Sequence, residues 1–249
     1  MWTTIYILWL RQVKRYSRSK PRIIGSLGQP LLFLVALGFG FGPIYARAGG
    51  GNYIQFLAPG IIGMSILFTS LFTGIEIIWD RQFGFLKETM VAPVSRLAIM
   101  AGRTLGGATV AVLQGTIVFF ISLLAGFRPE SWWGLPLAMV FMFLIALLFT
   151  GLGTAIASFL QDMQGFQLIM NFLVMPIFFL SGALFPLEGL PPAVELVARI
   201  DVLSYGIDGL RGALLATSHF GLGLDLSVLT ISVIAILGLG AYLFTKMEA

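Results

Sequence analysis

Six stretches of this 249-residue chain stay apolar for about 20 residues or more, the length that crosses a bilayer as a helix. They cover residues 23–41, 54–79, 104–127, 133–160, 166–185 and 226–245. Gly25, Gly28 and Pro30 interrupt the first stretch and Pro176 the fifth. Such breakers are tolerated where neighbouring helices take up the freed carbonyls, and kinks are expected at both prolines. The fourth stretch exceeds the minimum, so it is expected to tilt or to extend past the lipid. Ahead of the first, Trp2, Ile5, Trp9, Val13 and Tyr16 recur at helical spacing, while Arg11, Lys14, Arg15 and Arg18 crowd the opposite side. That pattern predicts an amphipathic interfacial helix over 1–21, an anchor or a lever for the first span, followed by one six-span membrane domain over 22–249.

Composition agrees. Hydrophobic residues make up 58% of the chain and charged residues 10%, against about 25% charged in a soluble domain. A chain this poor in charge cannot cover a water-facing surface, so the fold class is all-α integral membrane. Without cysteine there is no disulfide framework, and His219 is the only histidine, so no metal site of clustered His or Cys is expected. None of Lys14, Lys20, Lys87 and Lys246 follows a glycine, so the chain holds no Walker A phosphate loop. An ATP-driven activity must therefore take its ATPase, with its ATP and Mg, from another subunit. No nucleophile elbow or zinc-helix motif is present either, and the chain is not read as an enzyme or as a nucleic-acid binder.

The placement of lysine and arginine orients the spans. Eleven lie on one side: Arg11, Lys14, Arg15, Arg18, Lys20, Arg22, Arg81, Lys87, Arg96, Arg103 and Lys246. Arg47, Arg128, Arg199 and Arg211 lie on the other, together with Glu130, Glu188, Glu195, Asp201, Asp208 and Asp225. The positive-inside rule then places both termini in the cytoplasm of a plasma (bacterial inner) membrane. The first basic residues follow the first apolar ones, so the N-terminus does not read as a cleavable signal peptide.

Charge is concentrated in the loop over 80–103. Asp80 and Arg81 end the second stretch, and Phe83, Phe85, Leu86, Met90 and Val91 then alternate with Arg81, Gln82, Lys87 and Glu88. This predicts a short amphipathic helix that stops before Pro93, with Ser95 and Arg96 turning the chain into the third span. Either it is a connecting interfacial helix, or it docks in a groove of a cytoplasmic partner with Phe85, Leu86 and Met90 as anchors.

The loop resembles the cytoplasmic coupling segment of ABC-2 type transporter permeases. The likeness lies in Asp80-Arg81, Phe83-Gly-Phe-Leu-Lys-Glu88, Val91-Ala-Pro-Val-Ser-Arg96 and Gly102-Arg-Thr-Leu-Gly-Gly107. A second likeness, to the family's exoplasmic segment, lies in Ser181-Gly-Ala-Leu-Phe-Pro-Leu-Glu-Gly-Leu-Pro191 followed by Ser204-Tyr-Gly-Ile-Asp-Gly-Leu-Arg-Gly212. Members often have Asn-Pro-Leu before that Tyr, where this chain has Asp201-Val-Leu203. The resemblance implies a permease subunit of an ATP-driven exporter of hydrophobic or amphipathic drugs, lipids or lipid-linked glycans. It implies two permease copies, or this chain with a paralogue, surrounded by membrane lipid and docked on separate ABC ATPase subunits. By the same likeness, Phe83, Phe85, Leu86, Lys87, Glu88, Met90, Val91, Pro93, Ser95 and Arg96 form the ATPase-coupling site.

Residues 186–225 contain no full-length span. Two short helices fit best, one of them re-entrant from the outer face, and an outer gate is implied at Leu184, Phe185, Pro186, Leu187, Tyr205, Asp208 and Arg211. Asp208 and Arg211, spaced i,i+3, are expected to neutralise each other, and Glu195 and Arg199 are spaced to pair at i,i+4. Glu76 lies one helical turn from the end of its span and is expected to be an interfacial carboxylate near Arg81 or Arg103. Gln114, Gln167 and Asn171 either face a conduit or bond neighbouring helices, and the Gly102–Gly106 step is expected to let helices approach closely. An ion-gradient-driven secondary transporter and a non-transporting membrane scaffold remain the rival readings. The first calls for carboxylates deep in the spans, and only a transport or ATPase assay separates the second.

Overall fold

A computed structural model describes residues 1–49, 51–84, 94–160 and 162–246. Its described residues are helical, with no strand among them. In chain order the helices are α1 (Trp2–Arg18), α2 (Lys20–Arg47), α3 (Tyr53–Phe72), α4 (Ile75–Gln82), α5 (Arg96–Leu124), α6 (Leu135–Phe159), α7 (Met163–Leu180), α8 (Pro192–Ile200), α9 (Val202–Leu215) and α10 (Leu222–Lys246).

Six helical segments are long and apolar enough to span: Lys20–Arg47, Tyr53–Gln82, Arg96–Leu124, Trp132–Phe159, Met163–Leu180 and Leu222–Leu243. These match the six apolar stretches of the sequence. The second span, α3 with α4, is the most enclosed, and α5 and α6 pack around it. Spans one, five and six are buried least and turn apolar side chains such as Leu32, Phe39, Leu168, Phe172 and Ile231 outward. In a bilayer, exposed leucine and phenylalanine at these positions are solvated by lipid tails rather than water.

Span ends follow local chemistry. Asn52 caps α3 by accepting from Ile54 N, and Ser95 caps α5 by accepting from Ala98 N. Asp162 caps α7 at Gly165 N. The second span is tightened in its middle. Thr73 N, Gly74 N, Glu76 N and Ile77 N each donate to the carbonyl three residues back, a short 3₁₀-like stretch between α3 and α4. Gly74 lets this stretch sit close against α6, because a Cβ there would lie 2.5 Å from the Gly153 carbonyl oxygen.

The N-terminal amphipathic helix has a packing partner within the bundle. α1 runs alongside the third span. Its Ile5 and Leu8 lie against Gly102, and Trp9 and Gln12 lie against Gly106. The Trp9 indole donates to Thr109 Oγ1 at 2.9 Å, and Tyr16 donates to the Gln114 side chain. The small-residue step at Gly102–Gly106 thus receives the N-terminal helix rather than another span, and Gln114 bonds a neighbouring helix. Burial pushes the Tyr16 phenol up, although Arg22 opposes this, so the hydroxyl remains a proton donor.

Candidate coupling and gate sites

At the basic end of the bundle, α4 carries Glu76 and Asp80 four residues apart, hence on one face. Both are buried, and each is held by two arginines. Arg22 lies 2.6 Å and Arg15 3.6 Å from the Glu76 carboxylate. Arg103 lies 2.5 Å and Arg11 3.3 Å from that of Asp80. Arg103 is itself buried, whereas the other three are partly exposed. Arg15 also lies over the Trp79 ring, 5.7 Å from its centroid. One short helix therefore clasps α1, the start of α2 and the start of α5 through six charged side chains.

Arg103, expected near Glu76, lies within electrostatic reach of it, but the arginines that form ion pairs with Glu76 are others. Its partners come from α1 and α2, some 54 to 61 residues away in sequence, while Arg103 pairs with Asp80. Arg81 turns elsewhere, donating to the carbonyls of Leu160 at 2.9 Å and Ser158 at 3.3 Å. Those carbonyls close the C-terminal end of α6, where a cation suits the helix dipole. The Trp79 indole donates to the Met163 sulfur at the start of α7.

The chain leaves this clasp directly into the loop. Phe83 is exposed, Ser95 caps α5 and Arg96 is exposed beside it. Phe85, Leu86, Lys87, Glu88, Met90, Val91 and Pro93 lie outside the described residues, so the docking helix expected there has no structural counterpart to report.

At the acidic end, the turn over 181–187 packs onto the acidic-end half of the second span. Gly60 meets the Ala183 backbone so closely that a Cβ would collide with its carbonyl oxygen. Tyr53 Oη donates to the Leu184 carbonyl at 2.6 Å. Leu184 and Leu187 are buried, Pro186 is half-buried and Phe185 is exposed. α9 has 14 residues, about 21 Å at helical rise and too short to cross. It packs between α3, α6 and α10, with Gly63 against Ile207, Gly206 against Ile145, and Gly209 against Phe141. Tyr205 stacks on Phe220 at 4.7 Å and donates to the Arg199 carbonyl at 2.7 Å. Glu195 and Arg199 pair at 2.8 Å, as their spacing implies.

Asp208 and Arg211 do not form the expected ion pair. The Asp208 carboxylate accepts from the backbone N–H groups of His219 and Phe220, all at 2.8 Å. Arg211 donates to the carbonyls of Phe56 at 3.3 Å and Gly182 at 3.1 Å, with its guanidinium 4.0 Å from the Phe56 ring centroid. An i,i+3 pair on an exposed helix would close on itself. On a packed helix the orphan backbone groups of adjoining loops compete for both side chains, and here they win.

The chain's departure at Asp201 has a local explanation. Asp201 caps α9, its Oδ1 accepting from Leu203 N at 2.9 Å, a role that asparagine fills equally well. Burial pushes this carboxyl up to about 7, opposed by the Leu203 hydrogen bond. A carboxyl whose folded value lies above its unfolded one favours folding at low pH, and that contribution is lost as pH rises through about 7. Melting temperature is therefore expected to fall between pH 5 and pH 8 in the native protein. Asp201→Asn keeps the cap and should flatten that slope, as a detergent thermal-melt series at both pH values would read.

The sequence that builds this arrangement is similar to those of known proteins. Residues 3–215 match the family model for the ABC-2 type transporter. The chain belongs to the ABC-2 type transporter family. This permease is 30% identical to nodulation protein J of Rhizobium leguminosarum bv. trifolii over 217 residues, covering 86% of this chain and 80% of that one. It is 29% identical to nodulation protein J of Rhizobium meliloti strain 1021 over 231 residues, or 92% and 85% of the two chains. Inner membrane transport permease YadH of Escherichia coli K12 shares 26% over 237 residues, 94% of this permease and 91% of its own length.

Proposed function

We propose that this chain is the membrane subunit of an ATP-driven exporter, working as a dimer of permeases on separate ATPase subunits. It lies in a plasma membrane with both termini cytoplasmic and expels a hydrophobic or amphipathic molecule. The observation that carries the reading is the clasp on α4, because it joins the loop that would meet an ATPase to the helices that would have to move. A displacement of the loop pulls on Glu76 and Asp80, and through four arginines on α1, α2 and α5. The 3₁₀-like stretch at Thr73–Ile77 lies immediately beyond, where a small change in backbone angles tilts the lower end of the span against the upper. ATP and Mg belong to the ATPase.

The second permease copy is assigned to the outward faces of spans one and five. Phe33 and Phe178 meet edge to face at 6.0 Å, so these two spans touch at one point, and both turn apolar side chains outward. The turn over 181–187 with α9 then serves as the outer gate, α9 re-entering from the exoplasmic side. The scaffold reading shares the loop contact but gives no role to the gate. The secondary-transporter reading calls for a titratable group in the path, whereas Glu76 is already held by two arginines at the basic end. Co-purification tests the proposal. A Walker-motif ATPase in stoichiometric amount should travel with the tagged permease and be lost when Phe85, Leu86 and Met90 are changed to Asp.

A further inference from the structure

At the acidic end, two cavities share Arg211, Tyr45, Phe56 and Thr217 in their linings, one of about 480 Å³ and the other of about 280 Å³. The larger also reaches Arg128, Asn52 and Gln55. Among the described residues, no carboxylate lies within 4.0 Å of either guanidinium. Asp208, the acid nearest Arg211 in sequence, is committed to two backbone N–H groups. Glu130 lines the larger cavity without pairing, and Glu188 lines the smaller one with Arg211, 3.7 Å from His219. Arg211 Nε is buried and has no hydrogen-bond partner. The Phe56 ring beneath its plane and two carbonyls at its Nη2 hold the fork in one orientation. Burial pushes this guanidinium down to about 10, opposed first by Asp208 and then by Tyr45 and Glu188.

We propose that the cavity between Arg128 and Arg211 binds the phosphate of an anionic amphiphile's headgroup. Arg211 is half-buried and has Asp208 and Glu188 in its electrostatic neighbourhood, but no carboxylate touches its fork, and a phosphate brought to the Arg128 side of this cavity would be its first direct anionic partner. A planar guanidinium fixed on a ring offers phosphate paired donors. Arg128, exposed at the rim, adds a second cation, and the amides of Asn52 and Gln55 suit the ester oxygens. The cavity volume fits a headgroup rather than a whole lipid, leaving the tails on the apolar surface outside. In the export reading this is a station at the outlet, but the binding itself does not depend on that reading.

The test uses the purified full-length permease without its ATPase, so its failure and that of the export reading are separable. Native mass spectrometry counts retained phosphatidylglycerol against phosphatidylcholine. The expected result is preferential retention of phosphatidylglycerol, reduced about fivefold by Arg128→Gln, the loss of one partly exposed charged contact. Lys14→Gln, on the basic end, should leave the difference between native and Arg128→Gln protein unchanged. Arg211→Lys keeps the charge without the fork and should fall between, while Arg128→Gln alone decides the matter if that variant does not fold. Excess inorganic phosphate that displaces phosphatidylglycerol identifies the phosphate group itself as ligand. Failure to displace, with Arg128→Gln still weakening retention, identifies the lipid-borne headgroup. Equal retention of the two lipids by native protein, or unchanged retention in Arg128→Gln, overturns the proposal.

Discussion

Replacing Asp80 by alanine is expected to destabilise the permease by about 3–5 kcal/mol, the cost of stranding one partner of a buried ion pair. Arg103 is the partner left behind. Its side chain is 4% exposed, and the Asp80 carboxylate lies 2.5 Å away as its ion-pair partner. No water reaches Arg103 to take the place of the carboxylate, and Arg11 only adds positive charge. Glu76→Ala should cost less, because Arg15 and Arg22 are each about one-third exposed and can turn to solvent. The ordering is the informative part. Adding Arg103→Met to Asp80→Ala removes the stranded charge and should recover most of the loss, since an apolar residue of similar volume often replaces a buried pair without penalty. Detergent melting of the single and double variants reads both effects. Equal destabilisation by Asp80→Ala and Glu76→Ala, or no rescue, would mean that the clasp is peripheral.

The second large effect is expected at Gly60. Alanine in place of glycine within a helix normally gains up to about 1 kcal/mol. At Gly60 the added Cβ meets the Ala183 carbonyl, which is backbone and cannot swing aside. Overpacking of this kind costs about 1–3 kcal/mol, so the net sign is destabilising. The damage should be local, with the turn over 181–187 lifting from the second span and the Tyr53 hydrogen bond to Leu184 breaking. Gly238→Ala is the matched control, because nothing lies within 4 Å of a Cβ there. It should leave the melt unchanged or raise it. If Gly60→Ala behaves like Gly238→Ala, the turn is not seated on the second span as described.

The spans were legible because a lipid-embedded helix announces itself in about 20 consecutive residues, and all six appear where the apolar runs lie. The acidic-end short helices were legible for the converse reason, since α8 and α9 fall in a stretch too broken to cross. Partners were not legible. Glu76 has Arg103 nearby as expected, yet forms its ion pairs with Arg15 and Arg22, because an ion pair is set by which helices pack together. Nothing within the turn around Glu76 encodes that α1 lies nearby. The seating of α1 was signalled by Gly102 and Gly106, yet small residues mark a close approach without naming the approaching helix. Asp208 and Arg211 show the limit of spacing rules, because both side chains answer backbone groups from other segments. The coupling residues from Phe85 to Pro93 stand on the family likeness of their motif, while the clasp beside them stands on the structure.

This permease is proposed to work through a partnership with a separate ATPase, made by the loop beyond α4. The most direct measurement of that partnership is the mass and stoichiometry of the tagged protein isolated from its own cells in mild detergent. A complex in which Walker-motif ATPase subunits match permease copies one for one is the result expected, with the Phe85, Leu86 and Met90 to Asp variant running as permease alone. A permease that carries no nucleotide-binding subunit in any of several detergents would contradict it.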